Sequence, residues 1–89
     1  MKGTKFQIKV WQYLKKIPKG SIRSYKDVAI AINQPKAARA VANACAKNPY
    51  APKIPCHRVI RSDGGLGGYS SRGGVKKKVS LLRSEKVQI

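Results

Sequence analysis

Apolar residues recur at helical spacing near the start of the chain: Phe6, Val10, Leu14 and Ile17, with Trp11 beside them. That period predicts an amphipathic helix over 4–16, capped by Thr4 and stopped by Pro18 and Gly20. A second start signal follows at Ser24, with Asp27 three residues later in the spacing of a capping box. Val28, Ala29, Ile30, Ala31 and Ile32 then make a short helix, and Asn33-Gln34 a tight connection. Pro35 is tolerated at a first helical position, and the chain beyond it is rich in alanine (Ala37, Ala38, Ala40, Ala42, Ala44 and Ala46). Alanine favours a slender helix over 35–47 whose backbone can approach a partner closely. Two short helices joined by a tight turn are the outline of a helix-turn-helix.

Beyond Asn48-Pro49 the pattern changes. Pro52 and Pro55 keep the chain extended, Val59 and Ile60 predict a brief strand, and Ser62-Asp63-Gly64-Gly65 predicts a turn. A last helix is predicted over 75–85, with Val75, Val79 and Leu82 on one face and a lysine run on the other. The expected fold is mainly α: one small domain, 1–89, with a winged-helix-like helix-turn-helix and a short strand element carrying Cys56.

Composition narrows the partners. At 89 residues and 42% apolar, the chain has enough for one core and little more. No apolar run approaches the length of a membrane span, and Lys2, Lys5 and Lys9 interrupt the pattern of an export signal. An intracellular location is therefore expected. Twenty Lys and Arg against three acids give a net charge of +17, a surplus that calls for a polyanion. Nucleic acid ranks first. A membrane surface ranks below it, because no long helix sets a continuous apolar face against a basic one. Cys45 and Cys56 are expected to be free thiols. Together with the lone His57 they make a poor zinc set, since neighbours on a strand point to opposite faces. No metal and no cofactor are expected.

The segment Ile54-Pro55-Cys56-His57-Arg58-Val59-Ile60 is where chemistry could lie. A cysteine becomes a nucleophile when cations or a paired base stabilise its thiolate, and His57 and Arg58 follow Cys56 directly. Taken alone, the commoner account is a buried thiol beside a packed histidine. Of the three acids, Asp27 belongs to a helix start and Asp63 to a turn. Glu85 is left to orient an imidazole, although an exposed acid near a helix end is the commoner case. Arg39 could reach into a groove or a base stack, and Tyr25 and Tyr69 could stack on bases. A solvated cation and ordinary packing are the plainer readings. Gly64, Gly65, Gly67 and Gly68 could let a loop close over a base, but they lack phosphate-loop spacing.

The ordered set of segments adds more than any one of them. It comprises Phe6 to Trp11 with Leu14, Ile17-Pro18-Lys19-Gly20, Ser24-Tyr25, and Pro35-Lys36-Ala37-Ala38-Arg39-Ala40-Val41. It continues through Asn48-Pro49, Pro55-Cys56-His57-Arg58-Val59-Ile60, Gly67-Gly68-Tyr69-Ser70, and Leu81-Leu82 with Glu85. In this order the segments resemble the C-terminal domain of the O6-alkylguanine-DNA alkyltransferases, from Phe6 to Glu85. The resemblance implies direct-reversal DNA repair, in which an alkyl group passes from guanine in double-stranded DNA to Cys56, once per molecule. It implies His57 as the base acting through a water, Glu85 as its orienting acid and Asn48 as the hinge. Arg39 would be the finger that fills the stack, and Tyr25 the residue that promotes rotation at the phosphate and donates a proton to the leaving guanine. Ser70, after Tyr69, would hold the guanine O6 in the substrate pocket. Ala38, Ala42 and Asn43 would line the minor-groove face, beside Ser24 and Tyr25.

Three departures accompany it. The family's N-terminal domain has no counterpart in this sequence, Ser71-Arg72 adds length to the lid, and Ala51 stands where some members carry proline. Two competing readings remain. Alkyltransferase-like proteins are also short and flag lesions for excision repair without transfer, but they replace the acceptor cysteine, which this chain keeps. A major-groove transcriptional regulator leaves the Cys56 segment unexplained. A monomer bound to DNA carrying O6-alkylguanine, away from membranes, is the expected working state.

Overall fold

The computed structural model describes residues 2–50, 53–67 and 74–87. Helix α1 (Lys5–Leu14) starts at Thr4, whose side chain accepts from the Gln7 amide while Gln7 returns a bond to the Thr4 amide. This reciprocal box satisfies two of the donors that a helix start leaves open. The expected box at Ser24 and Asp27 also forms, at 2.9 and 3.0 Å, and opens α2 (Tyr25–Ala31). Asn33 turns the chain in the left-handed region, at φ 62°, which asparagine tolerates better than most residues.

The alanine-rich helix is shorter than its composition suggests. Helix α3 runs Ala38–Ala46, while Pro35 and Lys36 form a turn closed by the Ala37 amide on the Gln34 carbonyl at 2.9 Å. Alanine propensity extends a helix only where the incoming chain direction allows it, and here the turn sets that direction. Ala37 stands at the cap position and has no side-chain acceptor to offer the first turn.

Helix α4 spans Gly74–Ser84. Its faces differ from the expectation. Leu82 and Lys78 are fully buried, whereas Val75 is 44% exposed, so the lysine run does not all face solvent. Lys78 and Leu82 lie four residues apart, on one stripe of the helix.

The core joins α1, α2 and α3. Val10, Trp11 and Leu14 pack with Val28, Ala29, Val41 and Ala44. Trp11 is 1% exposed, and its indole N–H donates to the Ala44 carbonyl oxygen at 2.9 Å, so burial of the ring leaves no donor unpaired. Tyr50 meets it edge-on, with ring centres 5.8 Å apart.

The brief strand at Val59 and Ile60 is present as β2, and it has a partner that the sequence did not suggest. Arg23–Ser24 form β1 and pair with it in parallel, Arg23 opposite Val59 and Ser24 opposite Ile60. A parallel pair needs a long crossover, here supplied by α2 and α3. Its consequence is local: the residue after β1, Tyr25, is brought beside the residues that precede β2.

Candidate active site

Cys56–Arg58 form a single 3₁₀ turn leading into β2, not part of a strand as assumed from the sequence. Three residues per turn send successive side chains in three directions. Cys56, His57 and Arg58 therefore meet different neighbours, although they are consecutive.

His57 is 1% exposed, and its Nε2 lies 2.9 Å from Glu85 Oε2. Arg58 grips the same carboxylate with two prongs, Nε to Oε1 at 2.8 Å and a terminal nitrogen to Oε2 at 2.7 Å. Its other terminal nitrogen donates to the Ile17 carbonyl oxygen at 2.8 Å, anchoring the group to the chain just beyond α1. The bonds from Arg58, with those of His57 beside them, hold Glu85 down at about 2 against the opposing effect of burial. Burial pushes His57 below its ordinary value. Glu85 opposes this, while the positive charges of Arg58 and Lys78 reinforce it. The ring is therefore a neutral imidazole at neutral pH. Its Nε2–H donates to the carboxylate, which leaves Nδ1 as the basic atom. That Nδ1 is fully buried and makes no hydrogen bond to a described residue.

The thiol of Cys56 is buried too, at 4% exposure. Burial raises its pKa, and the Asn48 side chain and the Lys78 ammonium act in the opposite direction. Asn48 sits just past the end of α3. Its amide nitrogen donates to the Ile54 carbonyl oxygen and its oxygen accepts from the Tyr50 amide, both at 2.9 Å. One side chain thereby fixes the path of the backbone from α3 towards Cys56.

In front of this cluster lies an open cleft of about 1040 Å³. Ala38, Arg39, Ala42 and Asn43 form its α3 side, as expected, and Tyr25 forms part of its wall. Cys56 is not in the lining. Tyr25 is near both: it lines the cleft, and its phenol is raised to about 12 by burial first and then by the nearby Cys45 and Cys56 groups. The other wall is Arg61, Ser62, Asp63 and Gly67, which the sequence marked only as a turn and loop. Gly67 has φ 71°, and a Cβ placed there would meet the Tyr25 hydroxyl at 2.5 Å. The position is therefore restricted to glycine both by its backbone and by the close approach of the phenol.

The structure thus brings Cys56, His57, Glu85 and Asn48 together, with Tyr25 near Cys56 and in the cleft wall. Arg39 is exposed in the cleft. Ser24 uses its hydroxyl oxygen to cap α2 and is not in the cleft lining. Tyr69, Ser70, Ser71, Arg72 and Ala51 lie outside the described residues. Arg58, expected as a cation beside the Cys56 thiolate, instead grips Glu85. Lys78 was missed as a member of the site, although its place on the Leu82 stripe was readable. Cys45 and Cys56 are both free thiols, and no cluster of three or more His, Cys, Asp or Glu among the described residues could hold a metal ion. No helix among them is long and apolar enough to cross a membrane.

Comparison with known proteins identifies the family and agrees with the fold. The bifunctional transcriptional activator and DNA repair enzyme Ada of Escherichia coli is 56% identical over 85 residues, which cover 96% of this chain and 23% of Ada. The crystal structure of Mycobacterium tuberculosis OGT in complex with DNA superposes with a TM-score of 0.90 at 49% identity, over 96% of this chain and 52% of that one. That of S. pombe Atl1, in complex with damaged DNA containing O6-carboxymethylguanine, gives 0.80 at 29% identity, over all of this chain and 82% of that one. The chain therefore spans under a quarter of Ada and about half of the tuberculosis protein. The family model for the 6-O-methylguanine DNA methyltransferase, DNA binding domain, matches residues 5–87, and the chain belongs to that family.

Proposed function

We propose that this chain takes an alkyl group from the O6 atom of guanine in double-stranded DNA and keeps it on Cys56, one transfer per molecule. The observation that carries this reading is the neutral His57 ring next in sequence to Cys56, held by Glu85 at Nε2 and with a buried Nδ1 that bonds to no described residue. The description of the matching family, 6-O-methylguanine DNA methyltransferase, supports a transfer from guanine O6.

The reacting carbon is buried in a base stack, so the nucleotide must first rotate out, at a cost of a few kcal/mol. The small residues Ala38 and Ala42 let α3 approach the minor groove, and Arg39 fills the space left in the stack. The Cys56 proton passes through a water to His57 Nδ1, and Glu85 stabilises the imidazolium that results. The thiolate attacks the alkyl carbon: the S–C bond forms as the C–O6 bond breaks. The Tyr25 phenol, held protonated, donates to the leaving guanine and regains its proton from solvent. A thioether has no route back to thiol within this site, which makes the reaction stoichiometric. Asn48 holds the turn in register with α3. The family resemblance assigns Ser70, after Tyr69, to the guanine O6. The protein acts as a monomer on the cell's DNA.

Intact mass after mixing with an oligonucleotide carrying one O6-methylguanine tests the reading. One methyl gained, mapped to Cys56, is the expected result, and Cys56→Ala should gain none while still binding the lesion. The likeness to Atl1 supports a second reading, lesion recognition without transfer. Lesion-dependent binding of the native protein with no mass gain would select it.

A further inference from the structure

Lys78 is the only lysine among the described residues with no exposed surface. Its ammonium donates to the Val59 carbonyl oxygen at 2.8 Å and to that of Leu66. It also lies 6.0 Å from the centre of the Tyr25 ring. One side chain from α4 thus joins the first residue of β2, the loop that reaches Gly67, and the aromatic wall of the cleft. A leucine on this stripe would pack without the cost of burying a charge. Among the described residues, the ionisable groups around it are Tyr25 from α2, Cys45 from α3, and Cys56 and His57 from the turn. Burial depresses the ammonium's pKa, and negative charge on Cys45 or Cys56 acts to keep it protonated.

Resting on the transfer reaction proposed above, we infer that Lys78 is a positioning residue for it. Its buried ammonium fastens the loop at Leu66 to the start of β2 beside Tyr25, and it supplies the fixed positive charge against which the Cys56 thiolate forms. Lys78 exchanges no proton. The thiol proton goes to His57, the alkyl group to sulfur, and the ammonium stays charged throughout. A fixed cation lowers the free energy of an anion that appears only during reaction, and the buried setting spares it the screening of solvent.

Lys78→Gln keeps a donor at this place and removes the charge; Lys78→Arg keeps the charge. Lys77→Gln, on the exposed side of α4, controls for loss of a positive charge in general. Two readouts are needed on the folded proteins: the methyl-transfer rate at saturating O6-methylguanine duplex, and alkylation of Cys56 by iodoacetamide across pH. In Lys78→Gln the transfer rate should fall roughly tenfold or more. The iodoacetamide midpoint should rise by roughly one pH unit or more, the expected effect of losing one close opposite charge. Lys78→Arg should keep the midpoint near that of the native protein, and Lys77→Gln should match it in both readouts. A Lys78→Gln midpoint equal to the native one overturns the inference. So does loss of the fold in both Lys78 variants, which would make the residue purely structural. A native protein that never accepts a methyl group sinks the function proposed above, while the iodoacetamide midpoints still report on Lys78.

Discussion

At the scale of single residues, the Glu85 carboxylate organises the site, because His57 and Arg58 both depend on it. Its pKa lies near 2 in the fold against an ordinary 4.5, so its pairing stabilises the protein above pH about 4.5 and is lost as pH falls towards 2. His57 is also depressed below its ordinary 6.5, which makes the unfolded chain the better proton acceptor and lowers stability from about that pH downward. Both effects act in the acid direction. Glu85→Gln should therefore cost on the order of 3 kcal/mol at neutral pH, since it leaves the Arg58 charge buried and unpaired. Part of the acid transition should go with it. Urea unfolding at pH 7 and pH 4 checks this, and a variant as stable as the native protein at both would refute it. Elimination left this carboxylate as the one acid without a local use, since Asp27 and Asp63 had theirs, and only the family resemblance assigned it to His57. It could not reveal Arg58 as the second partner, because nothing in a run of consecutive residues says that the backbone will take a 3₁₀ turn and part their side chains.

At the scale of elements, the parallel contact of β1 with β2 aligns the start of α2 with the reactive turn, and α3 carries the cleft. Helix starts at Thr4 and Ser24 were legible because capping is local chemistry. The start of α3 was not, since the turn at Pro35-Lys36 overrides alanine propensity, and neither was the two-residue β1, which forms only through its distant partner. Two variants separate the work of α3 from the work of the turn. Arg39→Ala removes an exposed side chain from the cleft and should slow transfer far more than it weakens binding to an undamaged duplex. Equal losses in both would leave Arg39 as one phosphate contact among many. Asn48→Ala breaks the bonds to Ile54 and Tyr50. Leaving those buried groups unpaired should cost about 1–3 kcal/mol, and the displaced turn should slow transfer even in protein that remains folded. Thermal melting and single-turnover kinetics read the two effects, and an Asn48→Ala protein with native melting and native rate would exclude the hinge role.

At the scale of the whole molecule, charge is distributed unlike the chemistry. The net charge is +17, yet among the described residues Arg39 and Arg61 are the only cations in the cleft lining, and Glu85, Cys56 and His57 are outside that lining and shielded from solvent. Most of the surplus can therefore act on phosphates as a general attraction, while transfer depends on a buried network that salt reaches poorly. The two should part when ionic strength changes. If roughly 6–10 phosphates are contacted, affinity for a methylated duplex should fall about 10³–10⁵-fold between 50 and 200 mM salt. The transfer rate at saturating duplex should stay within about twofold over that range, because the Cys56 proton path and the Lys78 charge are both enclosed. Fluorescence anisotropy gives the affinity, and rapid-quench single-turnover assays give the rate. A saturated rate that falls in step with affinity would mean that salt enters the site, and that the thiolate is stabilised by the protein's general field instead of by the buried groups beside it.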